Sequence, residues 1–219
     1  MSSTTSYRLS GVALLVGSLL SIAYYLSEAF VPGNDLASLT SPLVFIGSII
    51  GFIGAVLTLL GLPGIYLRQR QQAGIIGLLG FLFLWYVTLF QGVIIPFTNI
   101  TFIPLLTSHL VGPAVVLTPP STWIPFNILS MVSEVLGILL LAIATLRARV
   151  FPRWTAWLLI ATLVIGIVSF VPFIPQALSN LVAIIASIAI AGFGYALLQP
   201  ERQEGTQFML GNIKKEAHA

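Results

Sequence analysis

The feature that most constrains the fold is a long stretch without formal charge. From Gln71 to Ser133 the chain contains no Asp, Glu, Lys or Arg, and a soluble domain cannot keep its surface hydrated over such a stretch. The whole chain is 58% hydrophobic and 7% charged, with a mean hydropathy of +1.05, whereas globular domains carry roughly a quarter charged residues. We therefore expect an integral membrane protein whose main partner is the lipid bilayer.

Six apolar segments approach the ~20 residues that a helix needs to cross a bilayer core. They predict an all-α fold, a polytopic six-helix transmembrane bundle that forms a single domain over residues 1–198. A charged tail at 199–219 is expected to be mobile and cytoplasmic. The predicted spans cover approximately residues 9–30, 43–67, 74–95, 124–146, 154–171 and 176–198.

The connection at 96–123 differs from the others. It is uncharged and contains five prolines, yet it is rich in Ile, Leu, Val and Phe. Proline interrupts regular helices, and the apolar composition is atypical of a solvated loop. The segment is therefore predicted to be a Pro-rich outer capping or re-entrant segment over the bundle.

The cations indicate the orientation of the bundle. If the N-terminus is cytoplasmic, six spans place all nine Lys and Arg residues on one side, as the positive-inside rule requires. These residues are Arg8, Arg68, Arg70, Arg147, Arg149, Arg153, Arg202, Lys214 and Lys215. Both termini are therefore predicted to be cytoplasmic in a plasma membrane. Membrane topology also accounts for the net charge of +3, so nucleic acid is not an expected partner.

Small residues recur at helical spacing within the spans. The clearest stripe is that of the second span, formed by Gly47, Gly51, Gly54, Thr58 and Gly61. Such stripes let helix backbones approach closely in lipid. They predict packing between helices of one chain, or contacts between copies in a homo-oligomer.

Glu134 is the one acid or base placed deep inside a span. It shares a polar, small-residue face of its helix with Asn127 and Ser130, so we expect it to point inward. A charge at the centre of a spanning helix costs at least about 2.5–3.5 kcal/mol, so something must offset that cost. Two interpretations are open: a hydrogen-bonded group that fixes helix register, or the anchor of a ligand pocket or a proton or cation pathway.

The candidate ligand or proton pathway contains six residues. Ser130 and Asn127 lie about one and two turns, respectively, from Glu134 toward the outer face and predict a polar track. Gln91 and Glu28 lie near the outer ends of their spans, and His109 lies in the capping segment. The full set is Glu134, Asn127, Ser130, Gln91, His109 and Glu28.

Enzyme and metal motifs are absent from the sequence. The chain has no HExxH, Gly-x-Ser-x-Gly or Walker pattern and no cysteine, and its two histidines are predicted on opposite sides of the membrane. No catalytic residue, metal or cofactor is predicted. The leading hypothesis is the binding or transport of a small hydrophobic or cationic molecule at Glu134. The alternatives are a structural or accessory membrane subunit and, third, an intramembrane enzyme.

Two short motifs near the C-terminus carry a family resemblance. The segment Phe-Pro-Arg-Trp-Thr-Ala-Trp at 151–157 and the segment Gly-Phe-Gly-Tyr-Ala-Leu-Leu at 192–198 resemble those of uncharacterised multi-pass integral membrane proteins of bacteria. The resemblance covers the C-terminal third of the chain. It implies a bacterial-type plasma membrane protein and no particular activity.

Overall fold

The computed structural model of the chain describes residues 3–31, 36–109, 121–169 and 176–199, and all regular structure in these ranges is helical. This confirms the predicted all-α class. The elements are α1 (Ser3–Ala29), α2 (Leu36–Leu39), α3 (Pro42–Val87), a π-helix (Thr88–Ile94), α4 (Ile95–His109), a 3₁₀ turn (Ser121–Trp123), α5 (Ile124–Ala148), α6 (Arg153–Ser169) and α7 (Gln176–Leu198).

Four helical segments in the described ranges are long and apolar enough to cross a membrane: Thr5–Ala29, Pro42–Leu105, Ser121–Ala148 and Leu178–Leu198. The apolar segment of α6, Arg153–Gly166, is shorter. The structure therefore does not support the predicted count of six separate helices, because the second and third predicted spans lie in one helical segment, Pro42–Leu105, in which only Gly74 has non-helical backbone angles. The predicted tail lies outside the described residues beyond Gln199.

Helix α3 reverses direction at Gly74. This residue has φ 55° and ψ −144°, a conformation that costs little only without a Cβ. Residues before and after the bend meet in antiparallel pairs. The ring centroids of Tyr66 and Phe81 are 5.7 Å apart, and those of Phe52 and Phe97 are 6.2 Å apart. Further from the bend, Asn99 Nδ2 donates to Ser48 Oγ over 3.4 Å. We call residues 42–73 the first arm and residues 75–87 the second arm.

The prolines of the predicted capping segment do not interrupt the helix where the structure describes it. The second arm continues through the π-helix into α4, which ends at His109. Pro96, which has no N–H, is the second residue of α4 and follows the π-helix directly, where the wider turn has already interrupted the α-helical hydrogen-bond pattern. Pro104 lies inside α4. The hydroxyl of Thr101 donates to the Phe97 carbonyl over 2.7 Å and so supplies a further bond within this helix. Residues 110–120 lie outside the described ranges.

The long helices form a closed ring of neighbours. Helix α1 packs on α3, α3 on α5, α5 on α6, α6 on α7, and α7 on α1. The glycine stripe of the first arm packs against α1 within the chain, since added Cβ atoms there would meet α1. Glycines from two helices lie together at three crossings: Gly11 with Gly194, Gly17 with Gly54, and Gly80 with Gly137. A Cβ added to any of these six glycines would lie within 2.9 Å of a backbone atom of the opposite helix.

The apolar core fills the half of the ring nearest the arginine-bearing helix ends. Its largest fully buried side chains include Leu62, Leu141 and Phe193. The rings of Phe151 and Phe193 meet edge to face with centroids 5.0 Å apart. In this half, Arg68 Nη1 donates to the Ala196 carbonyl over 2.9 Å and ties the first arm to the last turns of α7. The opposite half of the ring is less completely filled.

Candidate ligand-binding cavity

A cavity of about 450 Å³ lies in the half of the ring remote from the arginines. Its walls come from α1, the π-helix, α4, α5, α6 and α7. A smaller cavity of about 130 Å³ adjoins it and shares the lining residues Tyr25, Gln91, Glu134, Ile138 and Ala183. The volume of the larger cavity falls within the ~300–1,000 Å³ that is typical of small-molecule sites.

The π-helix and α5 together position Glu134 at the cavity wall. Gln91 Nε2 donates to Glu134 Oε2 over 3.2 Å and to Ser130 Oγ over 3.0 Å. Gln91 lies within the seven residues of the π-helix, a widened helical turn that is often found at functional sites. Gly92 lets this turn lie against the first arm, because an added Cβ would come within 2.7 Å of the Ala55 Cβ.

A second carboxyl group reaches the same cavity from α1. Tyr24 Oη donates to Glu28 Oε1 over 2.7 Å, and both side chains line the cavity. Tyr25 lies beside Tyr24, with ring centroids 5.1 Å apart, and lines both cavities. The α1 wall therefore presents one carboxyl and two phenol rings.

The charge of the cavity is one-sided. Glu28 and Glu134 are the only acidic residues in the described part of the chain, and both line this cavity. The lining residues found there include no Lys, Arg or His. A cleft that carries charges of one sign between low-dielectric walls concentrates ions of the opposite sign. Ionised carboxylates in this arrangement would favour a cation.

Helix α7 adds a buried amide that lacks a partner. Asn180 lines the cavity, is 4% exposed, and has no hydrogen-bond partner for Nδ2 among the described residues. Thr162 on α6 also lines the cavity, but its hydroxyl already donates to the Leu158 carbonyl over 2.9 Å. Asn180 therefore carries, at the cavity wall, a buried donor that the described residues leave without a partner.

The structure brings together four of the six residues predicted for the pathway. Glu134, Gln91 and Glu28 line the cavity, and Ser130 bonds to Gln91 beside it. Asn127 is not among the lining residues and donates through Nδ2 to the Trp123 carbonyl of its own chain segment over 3.2 Å. His109 is the last residue of α4, and its side chain lies outside the described residues.

Five polar lining residues were not predicted as site residues: Tyr24, Tyr25, Thr162, Ser179 and Asn180. Tyr24 lies four residues before Glu28 and therefore shares its helix face, which was a usable signal. Asn180 belongs to a stripe of small residues on α7 and looked like a packing residue. Its exposure to the cavity depends on how α7 is rotated against α1 and α6.

Comparison with known proteins gives no relative: no protein-family profile matches the chain, and neither curated proteins nor solved structures show a significant similarity to it.

Proposed function

We propose that this protein binds a small hydrophobic cation in the membrane-embedded cavity, as a carrier or as a binding protein. The observation that carries the proposal is that both described acidic residues, Glu28 and Glu134, line one cavity whose described lining contains no basic residue. Carboxylates inside a membrane domain are costly and are commonly retained for ion or substrate pathways. A bound cation would offset that cost.

The other lining residues suit a cation with apolar substituents. The phenol rings of Tyr24 and Tyr25 offer π faces, and such faces attract cations by about 0.5–2 kcal/mol. Met131, Val135 and Ile138 on α5 supply apolar wall. Together they favour an organic cation over a hydrated metal ion, because a metal ion would gain little from this apolar surface.

We also propose a topology for the membrane domain. The first arm, and the second arm continued by the π-helix and α4, cross the bilayer separately, which gives six crossings from five long helices. The antiparallel contacts of the arms support this arrangement, as does the grouping of arginines at one end. The termini would then be cytoplasmic and the cavity would lie in the outer half, while the resemblance to bacterial multi-pass proteins implies that the membrane is a plasma membrane.

A second candidate function is a structural or accessory subunit. It is favoured by the bonds of Gln91 to Glu134 and Ser130, because they tie the π-helix to α5. In this case Glu134 fixes helix packing, and the cavity binds no ligand. The two functions differ in what Glu134→Gln should change.

The test is the binding of N-methyl-para-benzylpyridinium to purified protein in nanodiscs, measured by titration calorimetry. Glu134→Gln removes a charge but keeps an oxygen that can accept from Gln91. We expect it to weaken binding about tenfold or more, as the loss of a charged partner does, while the unfolding midpoint stays close to the wild-type value.

Ser130→Ala is the control, because it removes the other partner of Gln91 without removing charge. It should leave the affinity for the cation within about twofold, since one neutral hydrogen bond has a small net value. No binding to the wild-type protein, or a loss of stability without a loss of affinity in Glu134→Gln, would favour the structural function.

A further inference from the structure

A ligand of the cavity would supply the hydrogen-bond partner that the Asn180 amide lacks among the described residues. A buried donor without a partner is costly, and almost all such groups in folded proteins are paired. Asn180 Nδ2 has no partner among the described residues although the residue is 4% exposed. A ligand atom that accepts a hydrogen bond would satisfy it.

Three neighbouring donors already have partners, whereas the hydroxyls of Tyr25 and Ser179 also line the cavity. Gln91 Nε2 donates to Ser130 and Glu134. Tyr24 donates to Glu28, and Thr162 donates to a carbonyl of its own helix. Asn180 lies on α7, whereas the two carboxyl groups lie on α5 and α1. The cavity therefore presents carboxylates from two helices and an unpaired donor from a third.

We propose that the cavity selects organic cations that also carry a hydrogen-bond acceptor, with the cationic group toward Glu28 and Glu134 and the acceptor on Asn180 Nδ2. The inference rests on the proposed function and specifies its substrate class. A cation without an acceptor would enter the same cavity but would leave the amide unpaired. The resulting difference in affinity assigns Asn180 as a specificity-determining residue.

Two probes of nearly equal size test this selectivity. N-methyl-para-benzoylpyridinium carries a carbonyl where N-methyl-para-benzylpyridinium carries a methylene group, and both bear one fixed positive charge. Calorimetric titration of the wild-type protein in nanodiscs should show the benzoyl compound binding about threefold to tenfold more tightly, the range expected for one net hydrogen bond.

Asn180→Leu should remove this preference, because it replaces the donor with an apolar group of similar volume. The affinity for the benzyl compound should stay the same or rise. Asn180→Asp has an acceptor in place of the donor and should also lose the preference for the benzoyl compound. This variant replaces Asn180→Leu in the test if the leucine variant does not fold. Asn127→Leu is the matched control, since the Asn127 amide bonds to Trp123 outside the cavity lining, and it should keep the wild-type preference.

The outcomes separate the two proposals. Equal binding of both compounds, or a preference that survives in both Asn180 variants, overturns the acceptor inference and leaves the cation site standing. If neither compound binds the wild-type protein, the proposed function fails and the inference fails with it. Loss of the preference in the Asn180 variants, with retention in Asn127→Leu, supports the inference.

Discussion

The residue that organises the cavity side of the bundle is Gln91. Its amide nitrogen donates to a hydroxyl oxygen and a carboxyl oxygen on α5, and Ser130, whose hydroxyl accepts one of these bonds, is 1% exposed. Without Gln91 that hydroxyl and Glu134 Oε2 would each lose a partner in a membrane interior. Intramembrane hydrogen bonds of this kind contribute about 0.6–1.7 kcal/mol each. Gln91 is thus a positioning residue for Glu134.

Gln91→Leu should lower the free energy of unfolding in micelles by about 1–3 kcal/mol, because it removes two hydrogen bonds and leaves buried polar atoms unpaired. Denaturant-induced unfolding followed by tryptophan fluorescence measures the change. Thr88→Val is the control on the same π-helix, since the Thr88 hydroxyl bonds to the Leu84 carbonyl along its own chain segment. Equal stability of Gln91→Leu and the wild type would show that the bonds to α5 contribute nothing.

At the scale of the elements, helix contact in this protein depends on glycines that face glycines. Gly17 on α1 and Gly54 on α3 each approach the other's carbonyl oxygen so closely that a Cβ would lie 2.7 Å and 2.9 Å from it. In lipid there is no hydrophobic drive between helices, so close backbone packing supplies much of the association energy. The sequence pattern predicted this packing, and the structure shows which helix each glycine faces.

Gly17→Ala should destabilise the fold by about 1–3 kcal/mol through overpacking, because its Cβ would press on the Gly54 oxygen and the Thr58 backbone. Gly166→Ala is the matched control on α6, where the nearest atom to an added Cβ is Val182 Cγ1 at 3.6 Å. Thermal unfolding of both variants in the same detergent checks the difference. Similar midpoints for the two variants would contradict a tight α1–α3 crossing.

At the scale of the whole molecule, the reversal at Gly74 decides how many times the chain crosses the bilayer. The antiparallel arms place the bend at the end that carries Arg68 and Arg70. The bond from Gln91 to Ser130 places the start of α5 at the opposite end. The native chain contains no cysteine. Single cysteines can therefore report on sidedness without background.

Gln71→Cys and Ser121→Cys place thiols at exposed positions near the bend and before α5. In the six-crossing topology, a membrane-impermeant maleimide added to intact cells should label Ser121→Cys, and it should label Gln71→Cys only after permeabilisation. The cysteine-free native protein is the control for specificity. Labelling of both positions from the same side would rule out separate crossings by the two arms.

Part of the site followed from the sequence because it depends on local pattern. Glu134 and Ser130 share a helix face by periodicity alone, and Glu28 lies near the end of its span by counting. The π-helix that carries Gln91 left no comparable signal, since its residues, like those of the arms, are largely apolar. The prolines at 96 and 104 favoured a broken segment, but the chain around them forms α4, and Pro96 lies where the π-helix has already widened the hydrogen-bond pattern.

The sequence by itself determined the class of the protein, its all-helical structure and the bounds of helices such as α7, because composition and helical period are local properties. Only the tertiary structure decided that Glu28, Glu134 and Asn180 line one cavity. These residues belong to three helices, and their meeting depends on the rotation and crossing of each helix in the ring. Packing between distant segments fixes those variables, and no local pattern records them.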